Sequence, residues 1–377
     1  LIFSLITAAY VIFGGMRAVM YADAFQAALM LIGMSAILML TYLLLGGPVE
    51  ANTTLTQMAT VEDLVPAAWK SMGMTGWTSF PELYSVIGLT MVTTIIMGVG
   101  IGVLAQPQLV VRFMCAKDEK ALNRAIPIGG IFILMTTGVA YTVGALSNVY
   151  FYYESPLHQI AYQAAGNNRD AIMPLYINSA MPDIVVVVFM LTLLAAAMST
   201  LSSQFHALGS AAGYDLLAWF RKRKGMSLDE DSNPEKKASL KSNRIGTFAM
   251  ILISVVLALS MPTGIIAIAT ALFMGLCASA FLPALTHALF SKRLSLNAAK
   301  LSLVLGTISW FLWVVFVHDK EAKILGIGQA LFGRATLLGF PWSFIDPLVI
   351  AIPISIAGLA IGWSIDYKRG KLKPRPE

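Results

Sequence analysis

Residues 183–212 read DIVVVVFMLTLLAAAMSTLSSQFHALGSAA, an apolar stretch whose one charged side chain, Asp183, stands at its first position. About 20 consecutive apolar residues are enough for a helix to cross a bilayer. In hydrocarbon, only a helix or a closed barrel satisfies the backbone polar groups without water. Residues 183–212 are therefore predicted to form a transmembrane helix, and their length predicts that the cytoplasmic end extends beyond the bilayer.

The same pattern recurs along the whole chain. Of the 377 residues, 57% are hydrophobic and only 12% are charged, whereas about 25% of the residues in a soluble domain are charged. The composition predicts an all-α integral membrane protein with about nine transmembrane helices. The predicted spans are 1–14, 24–46, 83–105, 126–147, 183–212, 246–262, 264–290, 298–317 and 345–365.

The first predicted span starts at the first residue. It lacks the basic start and the small-residue cleavage site of a secretory signal. We expect that the sequence begins just before, or inside, a membrane helix of a longer protein.

Basic residues are distributed unevenly between the two sides of the predicted membrane. If the loop at Arg17 is cytoplasmic, five of the 26 Lys and Arg residues face outward and the other 21 face the cytoplasm. The outer five are Lys70, Arg169, Lys320, Lys323 and Arg334. Because basic residues concentrate in cytoplasmic loops, we expect a multi-pass protein of the inner cell membrane with a cytoplasmic C-terminus. The net charge of +6 therefore reflects orientation in the lipid bilayer, and no nucleic-acid partner is expected.

Three predicted outer loops are long, at 47–82, 148–182 and 318–344. They carry aromatic residues, such as Trp69 and Tyr152, that suit the membrane–water interface. We expect short amphipathic helices in these loops, lying over the outer face.

Asp23 follows a Gly14-Gly15 pair and lies at the predicted cytoplasmic mouth of the second span. An acid at that depth is costly unless it pairs or faces water. Two interpretations are open: Asp23 attracts cations on an ion path, or it is an interfacial acid that pairs with Arg17 or caps the start of the helix.

Residues 97–108 read MGVGIGVLAQPQ, with glycines at 98, 100 and 102 and a proline at 107 inside one apolar run. Transporters use such interrupted helices to expose backbone groups at a substrate site. The alternative is close packing of helices through small residues. If the segment forms a site, Val99, Val103 and backbone atoms line it, and Gln106 supplies the polar side chain.

Ala196, Ser199 and Thr200 stand at i, i+3 and i+4 and therefore share one helix face. Two hydroxyls and one backbone carbonyl supply three of the oxygens that a hard monovalent cation prefers. The alternative is that the hydroxyls bond to their own backbone or to a neighbouring helix.

These three segments, in this order, resemble the signatures of the sodium:solute symporter family, which includes the sodium/proline and sodium/pantothenate symporters. The matching stretches are Gly-Gly…Asp-x-x-Gln from residue 14, Gly-x-Gly…Gln-Pro…Arg-Phe-Met from residue 98, and Ala-Ala-x-Met-Ser-Thr-Leu-Ser-Ser from residue 195. The resemblance runs from residue 1 to about residue 315.

The resemblance implies about thirteen helices in the leucine-transporter arrangement, with two inverted five-helix repeats. The chain is similar to such a protein from its fifth helix onward. Residues 1–46 then hold the last two helices of the first repeat, 47–82 an extracellular loop, and 83–290 the five helices of the second repeat. Residues 291–377 hold two accessory helices and a basic cytoplasmic tail.

The resemblance also implies roles for the site residues. The carbonyl of Ala196 and the hydroxyls of Ser199 and Thr200 bind the coupling Na⁺, and Asp23 lies on its cytoplasmic exit path. The residues expected to contact the solute are Val99, Gly100, Val103, Gln106 and Pro107. Sodium/proline symporters carry aromatic side chains where this chain has Val99 and Val103, which argues against proline as the solute. The resemblance implies that the family's second helix, which completes the sodium site, lies outside this chain.

The predicted function is secondary active transport, not enzymatic catalysis. By this prediction the protein imports a small organic solute (an organic acid, an amino acid or a pantothenate-like acid) by alternating access, with Na⁺ as the coupling ion and no other cofactor. Four alternatives are open: a proton-coupled carrier of the same fold, a symporter-like sensory membrane module, a membrane enzyme, and a truncated product without function. The spans 83–105, 126–147 and 246–262 contain no acid, which favours sodium over protons.

Overall fold

The computed structural model describes residues 2–61, 64–216, 219–220, 223, 233–260 and 266–375. Within these ranges, eight helices are long and apolar enough to cross a membrane. They are Ile2–Leu44, Val86–Ala105, Glu119–Glu154, Asp183–Gly213, Asn243–Ser260, Thr270–Phe290, Leu296–Phe316 and Pro347–Lys368. Only 11% to 39% of the most hydrophobic stretch of each helix is buried inside the protein. The outward-facing apolar surface is what helices in contact with lipid require, and the predicted all-α membrane class is confirmed.

The structure is built almost entirely from helices. The α-helices are α1 Ile2–Leu44, α2 Pro48–Met58, α3 Ala67–Ser71, α4 Val86–Leu89, α5 Val99–Gly102, α6 Pro107–Met114, α7 Glu119–Ile133, α8 Val139–Val149, α9 Ala161–Ala164, α10 Ile172–Ala180, α11 Asp183–Ser210, α12 Asn233–Ser260, α13 Ile266–Phe290, α14 Leu296–Phe316, α15 Asp319–Leu325, α16 Ile327–Phe332 and α17 Pro347–Lys368. Wider π-helical turns occupy Thr90–Gly98, Leu134–Gly138, Tyr150–Glu154 and Ala211–Leu216, and 3₁₀ turns occupy Val103–Ala105, Arg169–Ala171 and Trp342–Phe344. Strand β1 (Arg293–Leu294) pairs antiparallel with β2 (Lys373–Pro374).

The first two predicted spans lie in one element, α1. Gly15 inside this helix has φ 59° and ψ −157°, outside the helical region, and glycine adopts such a conformation without the clash of a Cβ atom. A 43-residue helix would extend about 65 Å when straight, roughly twice the thickness of the hydrocarbon layer. The difference between about nine predicted spans and eight observed helices arises at this kink.

The described residues form two compact units, the first comprising Leu1–Thr60 with Cys115–Gly264. In this unit α11 packs along α1, and the buried hydroxyl of Thr192 donates to the Val188 carbonyl at 2.8 Å. Farther along α1, the buried Tyr176 hydroxyl donates to Thr41 Oγ1 at 2.9 Å. The apolar core around these contacts contains Ile37, Val139, Val143, Phe151, Ala161, Tyr176, Ile177, Met181 and Phe189.

The second unit comprises Val61–Met114 with Ile265–Glu377. Helices α14 and α17 run antiparallel in close contact, and the hydroxyls of Ser302 and Ser355 lie 2.9 Å apart between them. Helix α13 packs against both. This three-helix group supports the interrupted segment Val86–Ala105, which packs on α13.

The three long loops contain short helices, as predicted. Helices α2 and α3 lie within 47–82, α9 and α10 within 148–182, and α15 and α16 within 318–344. In the predicted basic loop at 221–244, residues 221–222 and 224–232 lie outside the described residues, including Arg221, Lys222 and Lys224, whereas 233–244 form the first part of α12.

Candidate functional site

One face of α11 carries a row of oxygen atoms in the first unit. Thr200 Oγ1 donates to the carbonyl oxygen of Ala196 at 3.0 Å, which is the backbone bond that the structural alternative predicted for this hydroxyl. Ala196 and Ser199 are half-buried and Thr200 is exposed. Hard cations take oxygen ligands at about 2.3–2.6 Å, so two oxygens 3.0 Å apart are close enough to share one ion.

Ser202 connects this face to Asp23. Its hydroxyl is fully buried and lies 2.9 Å from the Ser199 carbonyl oxygen and 3.2 Å from Asp23 Oδ1. The Ser202 hydroxyl therefore lies between the Asp23 carboxylate and the predicted cation-binding face of α11. Asp23 lies within the helical turns of α1 that follow the kink at Gly15, so the prediction that it caps a helix start is wrong.

Further donors engage the same turns of α11. Ser203 Oγ lies 3.0 Å from the carbonyl oxygens of both Ser199 and Thr200, and the Tyr10 hydroxyl donates to the Met198 carbonyl at 3.4 Å. The sequence predicted no role for Ser202 or Ser203. Their spacing from Ser199 was the signal that placed them beside it.

The interruption predicted at 97–108 is present in the second unit. The helix narrows from π-helical turns to α5 and then to the 3₁₀ turn Val103–Ala105. Gln106 is extended, with φ −68° and ψ 124°, and Pro107 starts α6. Since proline lacks an N–H and fixes φ, it is favoured at such a helix start.

The predicted solute-contacting residues differ in exposure. Val99 and Gly100 are exposed and Val103 is half-buried. A Cβ added to Gly100 would meet no atom within 4 Å. At the interruption Pro107 is exposed, whereas Gln106 is 5% exposed. The structure therefore presents an open, largely apolar face at Val99–Val103 and a buried amide below it.

Gln108 is a polar residue that sequence reasoning did not assign to the site. Its Nε2 donates to Gln106 Oε1 at 2.9 Å, and its own buried Oε1 accepts no hydrogen bond within the protein. A buried acceptor without a partner is costly unless water or a ligand satisfies it. The Gln106–Gln108 pair is therefore a second polar feature of the interrupted helix.

Three buried titratable side chains gather beside the same segment, His318, Glu321 and Asp346. His318 Nδ1 bonds to Glu321 Oε2. The Asp346 N–H donates to Thr93 Oγ1 at 3.0 Å, and Asp346 Oδ1 accepts from the Leu348 N–H at 3.0 Å. A cavity of about 10 Å³ separates these groups, about the space of one water molecule.

The surroundings of Asp346 shift the pKa of its carboxyl group. Burial raises the pKa of the Asp346 carboxyl, and the neighbouring Glu321 charge acts in the same direction, against the Leu348 N–H and His318. Among the described residues, no three His, Cys, Asp or Glu side chains are arranged to hold a metal ion. The three side chains therefore form a buried polar cluster at the N-terminal end of α17.

Comparison with known proteins gives consistent matches. The model of the sodium:solute symporter family matches residues 1–306. The sodium/pantothenate symporter of Haemophilus influenzae is 28% identical over 312 residues, which cover 83% of this chain and 57% of that protein. The high-affinity proline transporter of Bacillus subtilis is 24% identical over 311 residues, covering 82% of this chain and 57% of that protein. The monocarboxylic acid transporter of Corynebacterium glutamicum is 25% identical over 371 residues, covering 95% and 62%.

A solved structure shares the fold. It is the substrate-bound, outward-open state of a Na⁺-coupled sialic acid symporter, which matches with a TM-score of 0.66 and 18% identity over 100% of this chain and 67% of that one. The match confirms the predicted leucine-transporter-like fold class. The chain spans 57% of the length of the pantothenate and proline relatives. The family and these relatives are transporters and not enzymes. With most of its length matched by the family model, the chain belongs to the sodium:solute symporter family.

Proposed function

We propose that this chain is part of a secondary transporter that couples the entry of Na⁺ to the uptake of a small organic solute by alternating access. The observation that carries the proposal is the oxygen face of α11. There the Ala196 carbonyl and the Thr200 hydroxyl lie 3.0 Å apart, with Ser199 on the same face. Neutral oxygens suit a hard cation of low charge. Membership of the symporter family supports the same assignment.

Asp23 serves in this proposal as the carboxylate on the sodium exit path. Its Oδ1 lies 3.2 Å from the Ser202 hydroxyl, which also contacts the Ser199 carbonyl. A carboxylate separated from the cation-binding face by one hydroxyl group attracts the departing ion. It holds the ion less tightly than a carboxylate that coordinates it directly.

The solute is a small carboxylic acid in this proposal. The relatives are named for pantothenate, proline and monocarboxylic acids, which share a carboxylate group. The apolar side chains of Val99 and Val103 would contact the body of the solute. Gly100 and Pro107 would contribute backbone surface, and the amides of Gln106 and Gln108 would supply hydrogen bonds.

One sodium ion is sufficient for useful accumulation. An ion that crosses 100 mV supplies about 2.3 kcal/mol, which corresponds to roughly 50-fold accumulation of a neutral load. The sodium concentration gradient adds to this value. The proposal therefore needs sodium as cargo and no other cofactor.

The protein lies in the inner cell membrane with a cytoplasmic C-terminus in this proposal. The support is the asymmetry of the 26 basic residues, including the tail residues Lys368, Arg369, Lys371, Lys373 and Arg375. We expect a fluorescent protein fused after the tail to fold and fluoresce in the cytoplasm. An alkaline phosphatase fusion active at the same position would contradict this orientation.

The sodium assignment is tested by replacing both hydroxyls in the full-length protein. In the Ser199→Ala, Thr200→Ala double variant we expect the sodium concentration for half-maximal uptake to rise tenfold or more. The matched control is Ser210→Ala, because that hydroxyl bonds within the same helix to the His206 carbonyl at 2.9 Å. Unchanged sodium dependence in the double variant would contradict the assignment.

A further inference from the structure

An apolar groove lies between α13 and α17 in the second unit. Its volume is about 460 Å³, and it is open along one side. Its main walls are Pro283, His287 and Phe290 of α13 with Ile352, Ile356 and Leu359 of α17. The α17 residues recur at spacings of four and three, so a single stripe of that helix lines the groove.

The polar end of the groove meets the small β1–β2 sheet. Ser291 lines the groove and is followed directly by Lys292 and β1. Strand β2 follows α17 and pairs with β1. Arg375 fixes this arrangement because its N–H donates to the Lys292 carbonyl at 3.2 Å and its Nη1 donates to the Leu289 carbonyl. Both helices that form the groove therefore end at the same two-stranded connection.

This connection carries a strong positive charge. The basic side chains in 292–300 and 366–375 are all exposed, and they are Lys292, Arg293, Lys300, Lys368, Arg369, Lys371, Lys373 and Arg375. The one acid in these segments is Asp366, which is buried. Its oxygens accept from the Ser295 hydroxyl and the Asn297 side chain, each at 2.6 Å. The Asp366 carboxylate is therefore hydrogen-bonded inside the protein. The exposed charged side chains around the β1–β2 connection, called the basic rim here, are all positive.

We propose that the groove and this basic rim form a binding site for an anionic phospholipid. One acyl chain lies in the groove between α13 and α17, and the phosphate headgroup contacts the basic side chains of the β1–β2 connection. Clusters of Lys and Arg directly beside transmembrane helices attract anionic headgroups. A soluble phosphate lacks an acyl chain to fill the apolar groove, and a zwitterionic lipid lacks the net negative charge that the basic rim attracts. The two features together therefore select an anionic phospholipid.

Aromatic residues mark the level of the headgroup. Trp363 lies four residues beyond Leu359, on the continuation of the groove-lining stripe. It stacks on Tyr367, with ring centroids 5.3 Å apart and planes inclined by 11°. Such side chains concentrate at the membrane–water interface, which places the basic rim where lipid phosphates lie.

The site is tested by lipid binding to the purified full-length protein. Native mass spectrometry in detergent would compare phosphatidylglycerol with phosphatidylcholine of the same chains. We expect tighter binding of phosphatidylglycerol, weakened roughly 30-fold by Arg293→Gln with Lys373→Gln. The control Lys117→Gln with Lys120→Gln removes two exposed basic residues of the first unit and should leave the preference intact. Equal binding of the two lipids, or a preference that survives the Arg293 and Lys373 changes, would overturn the proposal.

The groove is tested separately by filling it. Ile356 is 52% exposed and lines the groove, whereas Ile361 is 54% exposed on the same helix and does not. We expect Ile356→Trp to weaken phosphatidylglycerol binding at least threefold and Ile361→Trp to have no effect. Glycerol phosphate should give no thermal stabilisation at a concentration at which phosphatidylglycerol does. Equal stabilisation by glycerol phosphate, or equal effects of the two tryptophans, would show that the groove holds no acyl chain.

Discussion

Ser202 is buried between two acceptors, with its hydroxyl 2.9 Å from the Ser199 carbonyl oxygen and 3.2 Å from Asp23 Oδ1. The Ser202 hydroxyl can donate a good hydrogen bond to only one of these acceptors at a time. The charge of Asp23 therefore affects whether this hydroxyl bonds to the Ser199 carbonyl on the cation-binding face. We expect Asp23→Asn and Ser202→Ala each to slow sodium-dependent uptake severalfold. The double variant should be no slower than the slower single variant. Independent, multiplicative losses would show that the two residues do not act together.

Asp346 predicts a pH effect on stability. Burial raises the pKa of this carboxyl above its ordinary value of 3.8, so the folded protein holds the proton more tightly than the unfolded chain. The stability that this proton contributes is present below the ordinary pKa and is lost as the pH rises through the raised one. Asp346→Asn should remove this loss while it keeps an oxygen for the Leu348 N–H.

The thermal midpoint measured across pH 4 to 8 tests the Asp346 prediction. The loss of stability with rising pH should be smaller in Asp346→Asn than in the wild type. The control is Asp319→Asn, whose carboxylate pairs with Lys323 at 2.8 Å in a more exposed position. Identical pH profiles for the wild type and Asp346→Asn would contradict the role of the buried carboxyl.

The interrupted helix at 86–105 has two glycines with opposite surroundings. A Cβ on Gly102 would lie 2.8 Å from both the Cβ and the carbonyl oxygen of Met274 on α13, whereas a Cβ on Gly100 would meet nothing within 4 Å. We expect Gly102→Ala to lower the free energy of unfolding by about 1–3 kcal/mol through overpacking.

Gly100→Ala should leave the stability unchanged within about 0.5 kcal/mol and alter solute affinity, because that position is open. Thermal unfolding together with uptake kinetics distinguishes the two variants. An equal loss of stability in Gly100→Ala and Gly102→Ala would contradict the assignment of Gly102 to helix packing and of Gly100 to the solute site.

Much of the element-scale structure follows from local sequence. The alternating glycines and Pro107 predict the interruption because each weakens a regular helix. The kink within α1 does not follow from local sequence, since whether Gly15 ends a helix or kinks it depends on packing. The Asp23–Ser202 contact joins positions 179 apart, and no local pattern indicates it. The cluster of His318, Glu321 and Asp346 likewise depends on how α14, α15 and α17 meet.

At the scale of the whole molecule, the described part of the chain contains eight helices with outward-facing apolar surfaces, and the family model matches residues 1–306. Together these define a membrane transporter fold. The composition and the long apolar runs are sufficient to predict this class. The roles of Ser199 and Thr200 came from the family resemblance, because hydroxyls on one helix face serve packing as readily as ion binding. The identity of the driving ion is therefore the central claim to test.

The direct test is uptake into proteoliposomes that contain the full-length protein and a panel of radiolabelled carboxylic acids. An inward sodium gradient without a proton gradient should drive accumulation above the external concentration for at least one solute. A proton gradient in sodium-free buffer should drive none. Accumulation driven by protons alone, and unaffected by sodium, would contradict the account.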